Sequence, residues 1–260
     1  LQDVHERFPT DPGANAFYIW THPSEPVDRS LLSPPNVPGA PEWAVYQRAA
    51  HALHRDFVNW WIENRQVENG EFGHFLGDDS DLINDWLSIA AISDPGGRIA
   101  DSVRRLADTC WQVNLTDGVN TRPTDPLHAY EDGTNAICRA AEIYYGNPVY
   151  LERLMTATRA VRERFTAETG GHLHFTSRLY GAAQVITEPP YNQDSLASTL
   201  MLHPALYLGW YCRNGYALDL VRAYGDSWLE LFEAAVAADG PLGVSDRVKF
   251  PNTVRFEDRA

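Results

Sequence analysis

Residues 135–165 read NAICRAAEIYYGNPVYLERLMTATRAVRERF. Two amphipathic helices joined by a three-residue turn account for that spacing. Ile137, Ala140, Ala141 and Tyr144 recur at i, i+3, i+4 and i+7, so they share one helical face. Gly146-Asn147-Pro148 then stops one helix and starts the next, because glycine closes a helix end and proline suits a first turn. Beyond it, Leu151, Leu154, Met155, Thr158, Val161 and Phe165 form a second stripe that ends at Gly170-Gly171.

The same pattern extends in both directions. Upstream, Ile99, Val103, Leu106, Cys110 and Val113 predict a helix. Before that, Leu82, Ile83, Trp86, Leu87 and Ala90 follow Ser80 as N-cap, and Asp94-Pro95-Gly96-Gly97 ends the run. Earlier still, Tyr46, Ala50, Leu53, Phe57 and Trp60 predict a helix from Pro41 to Gln66. Downstream, a helix from Asp194 to Arg213, kinked at His203-Pro204, turns at Asn214-Gly215 into another bearing Leu220, Val221, Tyr224, Trp228, Leu231 and Phe232. No convincing set of strands emerges, with Val185-Ile186-Thr187 the one short candidate.

The connections alternate between short and long. The long ones are 67–80, 114–133 and 169–193. If successive helices are antiparallel, as short turns favour, all three long loops leave the scaffold at one end, where function collects. The expected class is therefore all-α: repeated antiparallel helical hairpins forming an incomplete α/α toroid. Residues 1–42 hold 8 of the 17 prolines and read as an irregular arm. The toroid spans 43–240, and 241–260 read as coil or the start of a continuing chain.

Composition narrows function further. The chain has 260 residues, 35 acids and 21 bases, for a formal charge of -14. A nucleic-acid partner is disfavoured, because gripping a phosphate backbone needs the opposite field. No apolar run is long enough to cross a bilayer, so no membrane partner is expected. Cys110, Cys138 and Cys212 lack the spacing of a disulfide framework or a cysteine zinc site. The chain begins at Leu1 without a signal-like apolar core, so upstream processing or truncation is expected.

Each long loop brings histidine, arginine and carboxylate together. The first holds His74, Asp78, Asp79 and Asp81, preceded by Arg65. The second holds Arg122, Asp125, His128, Tyr130, Glu131 and Asp132. The third holds His172, His174, Arg178, Tyr180, Glu188 and Asn192. Acids before a helix also complement its dipole without doing chemistry, and that discount applies to Asp81 and to Glu131-Asp132. Gly70, Gly73 and Gly77 permit tight turns or close approach but form no phosphate loop. No cofactor is expected. The aspartates and His74 admit Ca²⁺ or Zn²⁺, although their spacing matches neither an EF-hand nor a zincin. Trp60-Trp61 cannot share one narrow stripe, so one of them can serve as a platform for sugar rings.

The segments Glu68-Asn69-Gly70-Glu71-Phe72-Gly73, Gly77-Asp78-Asp79 and His128-Ala129-Tyr130-Glu131-Asp132-Gly133, set in this hairpin layout, resemble carbohydrate-active enzymes of the α/α-toroid type. These include polysaccharide lyases of the alginate and chondroitin AC kinds and unsaturated glucuronyl hydrolases. The resemblance implies a secreted or periplasmic enzyme degrading a uronic-acid-containing glycan, and an oligomer or further chain completing the toroid. Residues 172–181 resemble a lyase His…Tyr-Gly stretch. That implies β-elimination with His174 and Tyr180 as base and acid, and Arg122 or Asn192 neutralising the carboxylate. Arg65, His74, His128, Tyr130, Glu131, His172 and Arg178 would bind substrate. The long Asn-containing helix motif of many such lyases is missing. The rival is a toroidal glycoside hydrolase using Asp78 or Asp79 with Glu131 or Asp132, where paired acids keep one proton at neutral pH. A third reading is a non-catalytic solenoid that binds a glycan or a protein.

Overall fold

The structure is a computed structural model and describes residues 2–22, 24, 36–73, 75–239 and 252–257. The chain divides into two compact units, Leu1–Asp56 and Phe57–Ala260. This division falls inside a helix, whereas the sequence places a boundary near residue 42.

The first unit corrects the expectation of an irregular arm. It forms α1 (Gln2–Arg7) and α2 (Pro12–Thr21), followed by the start of α3 (Glu42–Asn64). Proline misleads here because Pro12 occupies a first helical turn, where its missing N–H removes no bond. Asp11 caps that turn, accepting from Ala14 N at 2.8 Å. The prolines of 25–35 lie outside the described residues.

The second unit is mostly helical, as expected. Its helices are α4 (Phe75–Leu82), α5 (Trp86–Ser93), α6 (Arg98–Thr109), α7 (Pro126–Ala129), α8 (Asn135–Ile143), α9 (Pro148–Ala160), α10 (His203–Cys212) and α11 (Gly215–Asp239). Successive helices pack in series: α6 on α8, α8 on α9, α9 on α10 and α10 on α11. Ile137, Ala140, Leu154, Val161 and Phe165 are buried in the shared core, as their stripes require. Full burial of a Leu or Phe side chain contributes about 1.5–3 kcal/mol each, so five helices sharing one core hold a rigid scaffold.

The helices differ from expectation in detail. The helix placed after Ser80 begins earlier, at Phe75, and breaks at Ile83-Asn84-Asp85 into α4 and α5. Ser80 is therefore not a cap: it lies buried within α4 and donates through Oγ to Glu131 O at 2.7 Å. In α3 the expected stripe is turned outward: Leu53, Phe57 and Trp60 are exposed, and Val58 and Ile62 are buried. α6 and α9 each run into a π turn, Cys110–Asn114 and Val161–Phe165, and a third, Tyr130–Thr134, links α7 to α8. At the kink predicted for His203-Pro204, a 3₁₀ segment (Leu196–Leu202) gives way to α10.

Short hairpins occupy the long connections. β1 (Leu115–Thr116) pairs with β2 (Val119–Asn120) across Asp117-Gly118, both at positive φ. β3 (Thr166–Thr169) pairs with β4 (His172–Phe175) across Gly170-Gly171, also both positive. Paired positive φ values are the signature of the two-residue turn whose twist matches a hairpin. β5 (Gln193–Ser195) pairs with β6 (Thr253–Arg255), so the C-terminal segment, expected as coil, is partly a strand. Residues 185–187, the strand candidate, are not a strand.

These hairpins tie the three loops together. Thr124 and Tyr180 exchange backbone hydrogen bonds of 3.1 and 2.8 Å, and Ala182 N donates to Asn120 O at 2.7 Å. The first loop joins the second through Ser80 and Glu131.

Candidate functional site

Where the first two loops meet, a cavity of about 820 Å³ opens; Asp78, Asn114, Asn120, Arg122, His128 and Asp132 contribute to its wall. Asp78 comes from α4, Arg122 from the segment after β2, His128 from α7, and Asp132 from the π turn before α8. A π turn carries an extra residue per turn, and such turns often mark functional positions.

Asp132 is set in place from two sides. Asn114 Nδ2 donates to its backbone carbonyl at 2.7 Å. Its carboxylate presses on the backbone of Gly77, where any Cβ would overlap Asp132 Oδ1. The glycine is needed for this approach, not for a left-handed φ. Gly70 is different: it has φ +93 and packs on the backbone of α6.

Beside the cavity the Asp81 carboxyl lies close enough to that of Glu131 to perturb it. Burial first, and then the neighbouring Asp81, push Glu131 up to about 7, with His128 opposing. Asp132 is also raised, first by burial, with His128 pulling it down and Asp78 pushing it up. Neighbouring carboxylates thus push both residues in one direction: Asp81 and Asp78 raise Glu131, and Asp78 and Asp125 raise Asp132.

The counterweight is Asp125–His128. Asp125 caps α7, accepting from Leu127 N at 3.0 Å and His128 N at 3.3 Å, and its other oxygen lies 2.6 Å from His128 Nδ1. The hydrogen bond to Asp125 raises His128, and the nearby charges of Glu131 and Asp132 add to it. For Asp125, burial pushes up, but the bonds from His128 and the backbone outweigh it and leave the carboxyl lowered.

The other sequence candidates scatter. Asp79 is buried and accepts from Phe72 N at 2.7 Å, so it braces the loop backbone. His174 and Tyr180 are fully buried, each at 0% exposure. His174 Nδ1 lies 2.9 Å from Asp194 Oδ2, and Tyr224 and Trp228 donate to the same carboxylate at 3.0 and 3.2 Å. The Tyr180 ring packs on Phe165 and Phe175. His172 and His174 alternate along β4 as their spacing suggests, but they do not act together: His172 pairs with Glu230 at 2.8 Å. Asn192 is buried and accepts from Phe256 N through its carbonyl. Arg178 and Arg65 are exposed, and neither is part of the cavity wall. Tyr130 donates to Asn135 Oδ1 at 2.8 Å and stacks at a tilt on His203, 5.3 Å away. His74 lies outside the described residues. Trp61 packs on Phe72, and Trp60 is half exposed.

The sequence marks Asp81 only as an acid that complements a helix dipole, and it gives His203 no place in a site. Burial first, then Arg139, lowers His203 to about 4, so its ring is neutral. Its sequence signal was only a kink before proline. Among the described residues no group of three His, Cys, Asp or Glu side chains converges to hold a metal ion. None of the described helices is long and apolar enough to cross a membrane. Searches of family models, curated proteins and solved structures find no match to this chain.

Proposed function

We propose that the chain is a glycan-degrading enzyme of the toroidal helical-hairpin type that cleaves by acid–base hydrolysis. The observation that carries this reading is a cavity walled by Asp78 and Asp132, with Glu131 beside it raised by burial and by Asp81. Hydrolysis of a glycosidic bond needs one carboxyl protonated, to charge the leaving oxygen, and another ionised. Glu131, raised to about 7, is suited to be the acid. Asp78, exposed on the cavity wall, supplies the carboxylate that activates water or attacks the sugar. Asp132 keeps negative charge close to the cation that develops on the ring, and Arg122 with His128 orients an anionic substituent such as a uronate.

β-Elimination is the second reading, and it rests on different residues from those the sequence suggested. His174 and Tyr180 are sealed in the core, so a lyase would use the exposed His128, oriented by Asp125, as base. Arg122 would mask the uronate charge. A secreted or periplasmic location fits either reaction.

The deciding experiment incubates the protein with alginate, chondroitin, xylan and cellulose oligosaccharides, following reducing ends and ultraviolet absorbance together. Reducing ends without absorbance support hydrolysis. A rise in both means a 4,5-unsaturated product and moves the assignment to His128 and Arg122. Silence in both leaves the binding solenoid and removes the enzyme.

A further inference from the structure

A second cleft, of about 600 Å³, opens between α5, α8 and α10. One wall is aliphatic, formed by Leu87 and Ala90. The opposite side carries Arg139 and Glu142, one turn apart on α8, with Arg139 Nη1 donating to Glu142 Oε2 at 2.8 Å. Both are largely buried, at 18% and 27% side-chain exposure. Arg139 is also tied down behind the cleft, its Nε 3.4 Å from Asn135 Oδ1.

Trp210 from α10 also lines the cleft and is 67% exposed. It does not stand alone. Tyr145, 64% exposed, meets it edge-on with ring centroids 6.1 Å apart, and Tyr145 in turn packs on Tyr211 at 4.9 Å. Tyr207 lies 5.5 Å from Trp210 and is anchored through its hydroxyl to Ala141 O at 2.7 Å. The rings are thus held by one another and by the core. An ordered exposed ring loses little freedom on binding, which makes it an efficient contact surface.

We propose that this cleft is a saccharide-binding site, separate from the acidic cavity, in which a pyranose ring stacks on Trp210 and its hydroxyls hydrogen-bond the Arg139–Glu142 pair. The chemistry fits a sugar better than a purely apolar ligand. A sugar presents a CH face to an aromatic ring and, at its edge, hydroxyls that both accept from guanidinium and donate to carboxylate. An apolar ligand would desolvate the ion pair without replacing its water contacts. The site does not depend on the hydrolytic reading, since binding here needs no turnover.

The test titrates alginate, chondroitin, xylan and cellulose hexasaccharides by calorimetry and tryptophan fluorescence, using Glu131→Gln to prevent cleavage through the acidic site. At least one hexasaccharide should bind, and Trp210→Ala should weaken it tenfold or more, about 1.4 kcal/mol. Tyr145→Ala should weaken it less, and Arg139→Gln should act in the same direction. Trp210 is mostly solvent-exposed, so its removal leaves the core intact, and an unchanged melting temperature verifies that. Three results overturn the proposal: none of the four hexasaccharides binds, Trp210→Ala leaves affinity unchanged, or the substitution instead converts a sedimenting dimer to monomer. The last would make the aromatic face a contact between copies. Binding without any glycan cleavage by the unaltered protein would remove the hydrolase reading and leave this site standing.

Discussion

Two aspartate–histidine pairs among the described residues of the second unit are separated by their surroundings. Asp125 and His128 lie 2.6 Å apart at the mouth of the acidic cavity, with half of the His128 side chain in solvent. His174 and Asp194 lie 2.9 Å apart with no exposure at all. The exposed pair can meet a ligand and exchange protons with water. The buried pair cannot, and its carboxylate instead collects Tyr224 and Trp228 and locks β4, β5 and α11 to one another. Identical functional groups thus become a reactive edge in one place and a structural rivet in the other. Access to water decides which.

If this contrast is right, the largest effect on stability belongs to the buried pair. Asp194→Ala strips a buried carboxylate from three donors and should cost about 3–5 kcal/mol. For a chain of this size that lowers the melting temperature by roughly 10 °C. An unchanged melting curve would break the comparison. The largest effect on activity belongs to the exposed side: Glu131→Gln should reduce kcat by about a hundredfold or more without lowering the melting temperature. Full activity in that variant would remove Glu131 as the acid.

A geometric test comes next. Gly77→Ala forces Asp132 away from the α4 backbone and should lower kcat by about tenfold with little change in KM, since small displacements of charged groups at a reacting centre are costly. Equal kcat in the two proteins would show that Asp132 has no part in the reaction.

The pH dependence sharpens the contrast. Glu131 holds its proton up to about 7 in the folded protein, against an ordinary value of 4.5. Between those values the folded state binds more protons than the unfolded state. The contribution of Glu131 to stability is therefore fully present below pH 4.5 and disappears as pH rises through 7. Glu131→Gln should flatten that decline in a series of melts from pH 4.5 to 8, and an unaltered slope would assign it elsewhere. The smallest effect is that of Asp125→Asn. It removes the main cause of the raised His128, so His128 should titrate lower by NMR, and stability should change by no more than about 1 kcal/mol, as for exposed pairs.

Much of the helical scaffold was legible from spacing. Ile137 through Phe165 follow the helical period on both sides of Gly146-Asn147-Pro148, and the structure buries those stripes together. The hairpin turns were also written in the chain, as Asp117-Gly118 and Gly170-Gly171, but strands of two to four residues are too short to show a period. The α3 stripe failed because the helix is apolar on more than one side, and periodicity cannot say which side meets the core. At the site, the gathering of Asp78, Arg122, His128, Glu131 and Asp132 followed from loop lengths. The choice among the histidines did not.

The sequence alone determined the helical class, the positions of most turns, and the clustering of acids with a few cations in the long connections. These are local properties, set by side-chain period, proline and glycine geometry, and charge. Only the tertiary structure decided that Asp81 bears on Glu131, that Gly77 makes room for Asp132, and that His174 and Tyr180 are sealed from solvent. Those outcomes depend on which residues, dozens of positions apart, come within a few ångströms of each other and on whether water can reach them.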